Sequence, residues 1–276
     1  MKRFNTFTVA VASMVFAFTV ISGGVAGAVP AITNGLVAAY EFNGNANDVS
    51  GNGNNGVVNG ATLTTDRFGN LDSAYSFDGT GNYIDLGNQN FTSAVSVSMW
   101  ARFDQVGALP QSLINKYDGD EGAGDLTIDR TLNLYMHQQG EGRFNEFQWT
   151  TSGGGVANSD ERSLTQAVSG GWYHLVATFD SGQASISVNG TVEHSWSTGF
   201  STLHQSDVNL LIGVATTDHP AVGSLPLDGQ VDDVYIYDRA LSPSEVSTLY
   251  SVVPEPNTAL LLGIGLSALA VRREKR

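Results

Sequence analysis

The chain contains no cysteine. That excludes disulfides, thiolate metal sites and thiol nucleophiles, and it removes the usual staples of an exported domain. Basic residues are also scarce. Lys and Arg number 13 against 27 Asp and Glu, for a net charge of -14. Six of the basic residues (Lys2, Arg3, Arg272, Arg273, Lys275 and Arg276) stand at the ends, so the middle of the chain is more acidic still. Such a surface repels phosphate backbones and anionic membranes, which excludes nucleic acid as a partner class. Calcium ions and neutral sugars remain compatible with it, and a bound ion is one way for a cysteine-free exported domain to gain stability. No G-x-S-x-G elbow, no phosphate-binding glycine loop and no H-x-x-x-H pair occurs, so the common signatures of acyl transfer, phosphoryl transfer and zinc hydrolysis are missing. Only 14% of residues are charged, whereas 41% are apolar and 32 are glycine. This balance suits one large domain of many strands and many turns.

What is present is strict alternation, clearest over residues 170–192. Tyr173, Leu175, Ala177 and Phe179 share one face; Trp172, His174, Val176 and Thr178 share the other. Ala184, Ile186 and Val188 alternate with Ser185 and Ser187 in the next run. A period of two is that of a pleated strand with one dry face. Asp180-Ser181-Gly182 and Asn189-Gly190 turn the chain, the second being the strongest two-residue hairpin signal because both positions tolerate positive φ. The stretch therefore reads as a three-stranded antiparallel meander. Further strands are expected at 36–42, 74–77, 83–86, 95–103, 112–116, 126–129, 132–137, 146–150, 208–212 and 230–237. Residues 44–60 and 152–163, rich in Gly and polar side chains, read as loops. Ser242-Pro243-Ser244-Glu245 is a capping box with proline at the first helical position, so one short helix closes the domain over 241–250. Roughly a dozen short strands without βαβ spacing imply an all-β sandwich of two stacked antiparallel sheets.

The two ends are separate devices. Residues 1–28 have a basic start, an apolar run over 7–21 and the small-residue site Ala26-Gly27-Ala28. This is the pattern of a secretory signal peptide, cut by signal peptidase before Val29; the alternative is a retained anchor. At the other end, Pro254-Glu255-Pro256 precedes an apolar run over 259–271 and then Arg272-Arg273-Glu274-Lys275-Arg276. A helix over that run would span about 20 Å, short of the roughly 30 Å of a hydrocarbon core. Its position before a basic cluster reads as a membrane stop with positive residues held inside. The triplet, apolar segment and basic tail over 253–276 resemble the PEP-CTERM sorting signal. The resemblance implies handling by an exosortase-type enzyme, transient membrane anchoring, removal of the tail, and a final place at the cell surface or in the matrix, beside exopolysaccharide.

The middle, over 33–250, carries a second resemblance. Its phrases are residues 35–42 with Asp48-Val49-Ser50-Gly51-Asn52; Tyr75-Ser76-Phe77-Asp78-Gly79 with Asn82-Tyr83-Ile84; 97–100; 172–180; Val188-Asn189-Gly190; and 231–237 with Arg239-Ala240-Leu241-Ser242. Together, in this order, they resemble the laminin-G-like branch of the concanavalin A-like lectin/glucanase superfamily. The resemblance implies a jelly-roll β-sandwich with one concave sheet. Fold alone does not name a ligand.

Candidate sites follow. Asp232 shares parity with the apolar Val234 and Ile236, and a buried carboxylate needs a partner. Similar sandwiches hold a structural calcium between the first-strand loop and the last strand. Asp232, Asp48 and carbonyls near Asn52 are therefore expected to bind one Ca²⁺; the alternative is that Asp232 caps backbone amides. The acidic loop over 118–125 partly imitates a calcium loop but has Gly122 at a ligand position and lacks the closing Glu, so it is either a solvated loop or a second ion site. Trp149, Trp196 and Tyr135 are the candidate ligand contacts. Trp100, Trp172 and His174 are either a sugar platform or, as in the family, structural. His137, His194, His204 and His219 read as surface histidines. Sugar-cleaving relatives carry carboxylates alternating as E-x-D-x-x-E on one strand, an arrangement that this chain lacks. Three functions compete: a non-catalytic module that binds extracellular polysaccharide or cell-surface glycan, a structural or adhesive matrix protein, and a degenerate glycoside hydrolase.

Overall fold

The structure is a computed structural model, and it describes residues 31–107, 109–118, 129–137, 145–153, 159–215 and 225–251. The expected signal segment, the sorting tail, nearly all of the acidic loop, residues 126–128 and His219 lie outside the described residues. Strands are numbered along the chain. An eight-stranded sheet runs β13 (Thr191–Ser197), β12 (Gln183–Val188), β11 (Trp172–Asp180), β6 (Ala94–Phe103), β15 (Asp228–Tyr237), β4 (Ala74–Asp78), β3 (Thr62–Thr64), with β1 (Leu36–Tyr40) also on β15. A seven-stranded sheet runs β10 (Ser159–Gln166), β9 (Glu146–Thr151), β8 (Asp129–Met136), β7 (Gln111–Asp118), β14 (Leu211–Ile212), β5 (Tyr83–Asp85), β2 (Val57–Asn59). Every pairing between named strands is antiparallel.

The meander forms as its alternation requires. Asn189 and Gly190 have φ of 49° and 79°, and Ser181 and Gly182 have 47° and 93°. Both pairs therefore sit in the left-handed region that two-residue hairpins use. Tyr173, Leu175, Ala177 and Phe179 face the core between the sheets, as do Val95, Val97, Met99, Ala101 and Phe103 of β6. The other sheet supplies Ile114, Leu132, Leu134, Met136, Phe147 and Trp149. Phe147 joins the layers, with its ring centroid 6.0 Å from Phe103 and 5.1 Å from Tyr173.

The outer face of the eight-stranded sheet is not left wet. Helix α1 (Pro243–Ser251) lies on it, burying Val246 and Leu249 in one cluster with Ile32, Val176, Tyr237 and Leu241. The capping box forms: Ser242 Oγ accepts from Glu245 N at 3.3 Å, and Ser242 N donates back to Glu245 Oε2 at 2.8 Å. Two loop expectations are corrected. Residues 44–60 end in the short edge strand β2, and 152–163 gives way to β10 from Ser159. The burial of β10 shows why it is hard to read: only Ser163 of its eight residues is buried, so it has no apolar side to alternate.

Candidate functional site

Strand pairing in the seven-stranded sheet gathers a polar site on the sheet's outer face. Leu132, Leu134 and Met136 point inward, which turns Asn133 and Tyr135 outward. Asn115 of β7 pairs with Asn133, Asn133 with Thr150 of β9, and Thr150 with Asp160 of β10. A second row runs from Ser112 through Tyr135 and Gln148 to Arg162. The second row is wired together. Arg162 Nε donates to Gln148 Oε1 at 3.2 Å, Gln148 Nε2 donates to Asp160 Oδ2 at 2.6 Å, and Arg162 Nη2 lies 3.4 Å from His137 Nε2.

A cavity of about 220 Å³ opens on this face, lined by Asn115, Tyr117, Asn133, Tyr135 and His137, with Pro110, Ala215 and Leu225 around them. The Tyr135 and His137 rings lie 6.0 Å apart. Asn133 Oδ1 and Thr150 Oγ1 are buried with no hydrogen-bond partner among the described residues. Buried polar atoms are nearly always paired, so acceptors left open beside a cavity are places for a ligand or water. Leu225 stands at φ 36°, while its carbonyl accepts from Ser112 N at 2.9 Å. A left-handed leucine costs about 1–2 kcal/mol and is held only where its surroundings demand it. Among the described residues the lining consists of amides, phenols and an imidazole on an apolar frame, with no carboxylate. Such a surface can hydrogen-bond and stack against a small neutral polyol.

Of the three rings expected to meet a ligand, Tyr135 lines this cavity. Trp149 does not: on β9 it has the opposite parity to Gln148 and Thr150, and it is fully buried between the sheets. Trp196 is elsewhere, partly buried against the core at the sandwich edge, where its Nε1 donates to Ser159 Oγ at 2.8 Å. Asn115, Asn133 and Tyr117 escaped the sequence reading because the pairing that aligns them is long-range. His137, expected on the surface, was recognisable only as two places beyond Tyr135 on the same parity.

The residues expected to bind calcium are each engaged by groups of the protein itself. Asp48 Oδ1 accepts from Ala39 N at 3.0 Å and Ser50 N at 2.8 Å, and its Oδ2 accepts from Asn54 N at 2.9 Å. Burial pushes the Asp48 carboxyl up, but these hydrogen bonds outweigh it and hold it below its ordinary value. Asn52 turns its Nδ2 to the carbonyls of Leu36 and Val37, at 3.0 Å each. Asp232 is buried beside a basic side chain and the backbone amide of Asp233. It is ion-paired to Arg67, whose Nη2 also donates to Asp233 Oδ2 at 2.7 Å. Its facing is corrected too. Asp233 adopts φ 46° in a bulge between the stretches of β15 paired with Trp100 and with Ser98. The bulge flips parity, so Val231, Val234 and Ile236 point inward while Asp232 joins Trp100 on the outer face. Among the described residues, no group of three or more His, Asp or Glu side chains is arranged to hold a metal.

Arg67 is the centre of this outer-face cluster. Asp66 holds its loop by accepting from Phe68 N and Asn70 N, both at 2.8 Å. The guanidinium lies 4.3 Å from the Phe68 ring centroid and 4.4 Å from that of Trp100, and Trp100 stacks on Tyr250 of α1 at 5.7 Å. His174 lies beneath, 5.2 Å from Trp100, with its Nε2 2.9 Å from Ser98 Oγ. Burial and the nearby Arg67 charge push its pKa down to about 3, so it is neutral. Burial pushes Asp232 and Asp233 up against the pull of Arg67. Burial and the Asp233 charge push Glu41 up to about 7. Trp100 and His174 are thus covered by α1.

Two stacked antiparallel sheets in jelly-roll fashion, one carrying a polar cavity and the other a helix, define a lectin-like sandwich. A family model described as the concanavalin A-like lectin/glucanases superfamily matches residues 78–247, and the chain belongs to that superfamily. The PEP-CTERM protein-sorting motif matches residues 252–276. Comparison with curated proteins gave no match. Among solved structures, domain 4 of AbnA, a GH43 extracellular arabinanase from Geobacillus stearothermophilus solved with arabinotriose, is similar with a TM-score of 0.59 at 23% identity, over 78% of this chain and 98% of that one. The binding domain of Paraclostridial Mosquitocidal Protein 1 has a TM-score of 0.60 at 17% identity, over 79% of this chain. The botulinum neurotoxin serotype D ligand-binding domain, solved with N-acetylneuraminic acid, has 0.58 at 15% identity, again over 79%. This chain spans about half the length of each toxin domain, 52% and 51%.

Proposed function

We propose that this is a non-catalytic, exported carbohydrate-binding protein, and that it binds neutral extracellular polysaccharide through the outer face of its seven-stranded sheet. The observation that carries the reading is the cavity where paired amides, Asn115 and Asn133, meet Tyr117 and Tyr135. Aromatic faces stack on the apolar faces of sugars, and planar amides serve their hydroxyls as donor and acceptor at once. At about 220 Å³ the cavity is smaller than the roughly 300–1,000 Å³ of pockets for larger ligands, which favours one sugar ring over an enclosed chain. Glycoside cleavage needs two converging carboxyl groups, and the sequence has no E-x-D-x-x-E run to supply them from one strand. Arabinotriose in the complex of AbnA domain 4 supports the same class of ligand. The sorting motif supports export and handling by an exosortase-type enzyme.

Isothermal titration with arabino-, xylo- and gluco-oligosaccharides tests the reading, alongside a glycan array. Wild type binds at least one; Tyr135→Ala and Asn133→Ala weaken that binding tenfold or more while melting within a few degrees of wild type. Absence of any sugar signal would favour an adhesive matrix role, and release of reducing sugar would favour a hydrolase.

A further inference from the structure

The two ends of the folded domain leave from one side of the sandwich, and that side is opposite the cavity. Ile32, just after the expected signal cleavage point, is buried in the same cluster as Val246 and Leu249 of α1. Its carbonyl accepts from Tyr237 Oη at 3.4 Å, and the carbonyl of Asn34 accepts from Arg239 Nε at 2.9 Å. The helix is fixed at both ends. Arg239 grips its first turn through Glu245, at 2.9 and 2.6 Å, and Tyr250 grips its last through the Trp100 stack. Ser251 is the last residue of α1, and the sorting motif begins at residue 252. Between Ser251 and Ala259, the first residue of the apolar run, stand only residues 252–258.

Seven residues reach at most about 25 Å even at full extension. A compact domain of about 220 residues has a radius of gyration near 17 Å and a diameter of roughly 44 Å. A tether that leaves from the α1 face is too short to pass round the sandwich and draw the opposite face to the bilayer. We propose that, while the tail is retained in the membrane, the α1-covered face of the eight-stranded sheet lies against the bilayer surface and the cavity face is turned outward. The anchored protein would then be a polarised platform, with its cavity open to the medium before the tail is removed. This inference rests on the sorting motif and not on the sugar reading.

The absence of cysteine makes the test direct. Single Ser247→Cys on the exposed side of α1 and Asp160→Cys on the exposed outer face of β10 each receive a fluorophore. The full chain is then reconstituted into liposomes whose lipids carry a headgroup quencher in both leaflets, and flotation confirms insertion. The expected result is quenching at position 247 at least twofold stronger than at 160. A version with about 30 Gly/Ser residues inserted between Ser251 and Val252 should then quench equally at both positions. Equal quenching in the native-length chain, stronger quenching at 160, or failure to float with the liposomes would each overturn the proposal. Sugar titrations on the unlabelled wild-type chain in the same liposomes read the cavity separately.

Discussion

Replacing Arg67 by alanine should be among the most damaging single changes outside the core. The side chains of Arg67, Asp232 and Asp233 are only 5%, 3% and 16% exposed, so water screens the ion pairs little. Removing one partner of a buried pair strands the other charge and costs about 3–5 kcal/mol. Loss of the cation–π contacts to Phe68 and Trp100 falls within that range and is not added to it. For a domain of this size 1 kcal/mol shifts Tm by about 2–4 °C, so a fall of roughly 6–20 °C is expected at pH 7. The pH dependence carries a sign. Burial already raises both aspartates in the folded state, and without Arg67 they rise further. The folded variant then holds protons that the unfolded chain has released, so its deficit is largest at neutral pH and shrinks toward pH 4. Calorimetry and urea titration from pH 4 to 8 would measure this. Adding Asp232→Asn and Asp233→Asn to the Arg67→Ala background should recover much of the loss at pH 7. A loss under about 1 kcal/mol at pH 7, or one that grows as pH falls, would refute the reasoning.

Glu41→Gln should raise Tm at pH 8 and leave it unchanged near pH 4. The folded carboxyl titrates at about 7 against an ordinary 4.5, so its cost is present above that window and relieved by protonation within it. His174 works in the opposite sense. The unfolded chain takes up that proton near pH 6.5 and the folded chain only near 3, so stability falls as pH drops between them. His174→Gln should flatten that slope in thermal melts, whatever it does to the absolute Tm. Gly229→Ala should prevent folding or cost more than about 3 kcal/mol, because the new Cβ would meet the carbonyl oxygen of Arg102 on neighbouring β6 at 2.1 Å. Circular dichroism of the purified variant decides it, and a native-like melt would contradict the strand spacing at that point.

The strands and their turns were legible because the signals are local. Alternation in β6, β11 and β12, Asn189-Gly190 at a hairpin and Ser242 with Glu245 at the helix start each follow from neighbours in sequence. β10 was not legible, since its residues are polar on both sides and the strand is held by pairing with β9 rather than by a dry face of its own. Asp232 shows the limit of parity. A bulge at Asp233, where β15 passes from pairing with β4 to pairing with β1, turns the expected inward carboxylate outward to Arg67, 165 residues away.

The cavity marks the same boundary. Tyr135 could be singled out as an aromatic on a strand, but so could Trp149, and only the packing of two sheets decides that one faces out and the other in. The sequence by itself determined the all-β class, the short capped helix and the sorting motif at its end, because periodicity, turn chemistry and composition act over a few residues. The tertiary structure alone decided which polar groups meet, which face α1 covers and from which side the tail departs. Those depend on register between strands far apart in the chain, and no local pattern encodes which distant backbone a strand will pair with.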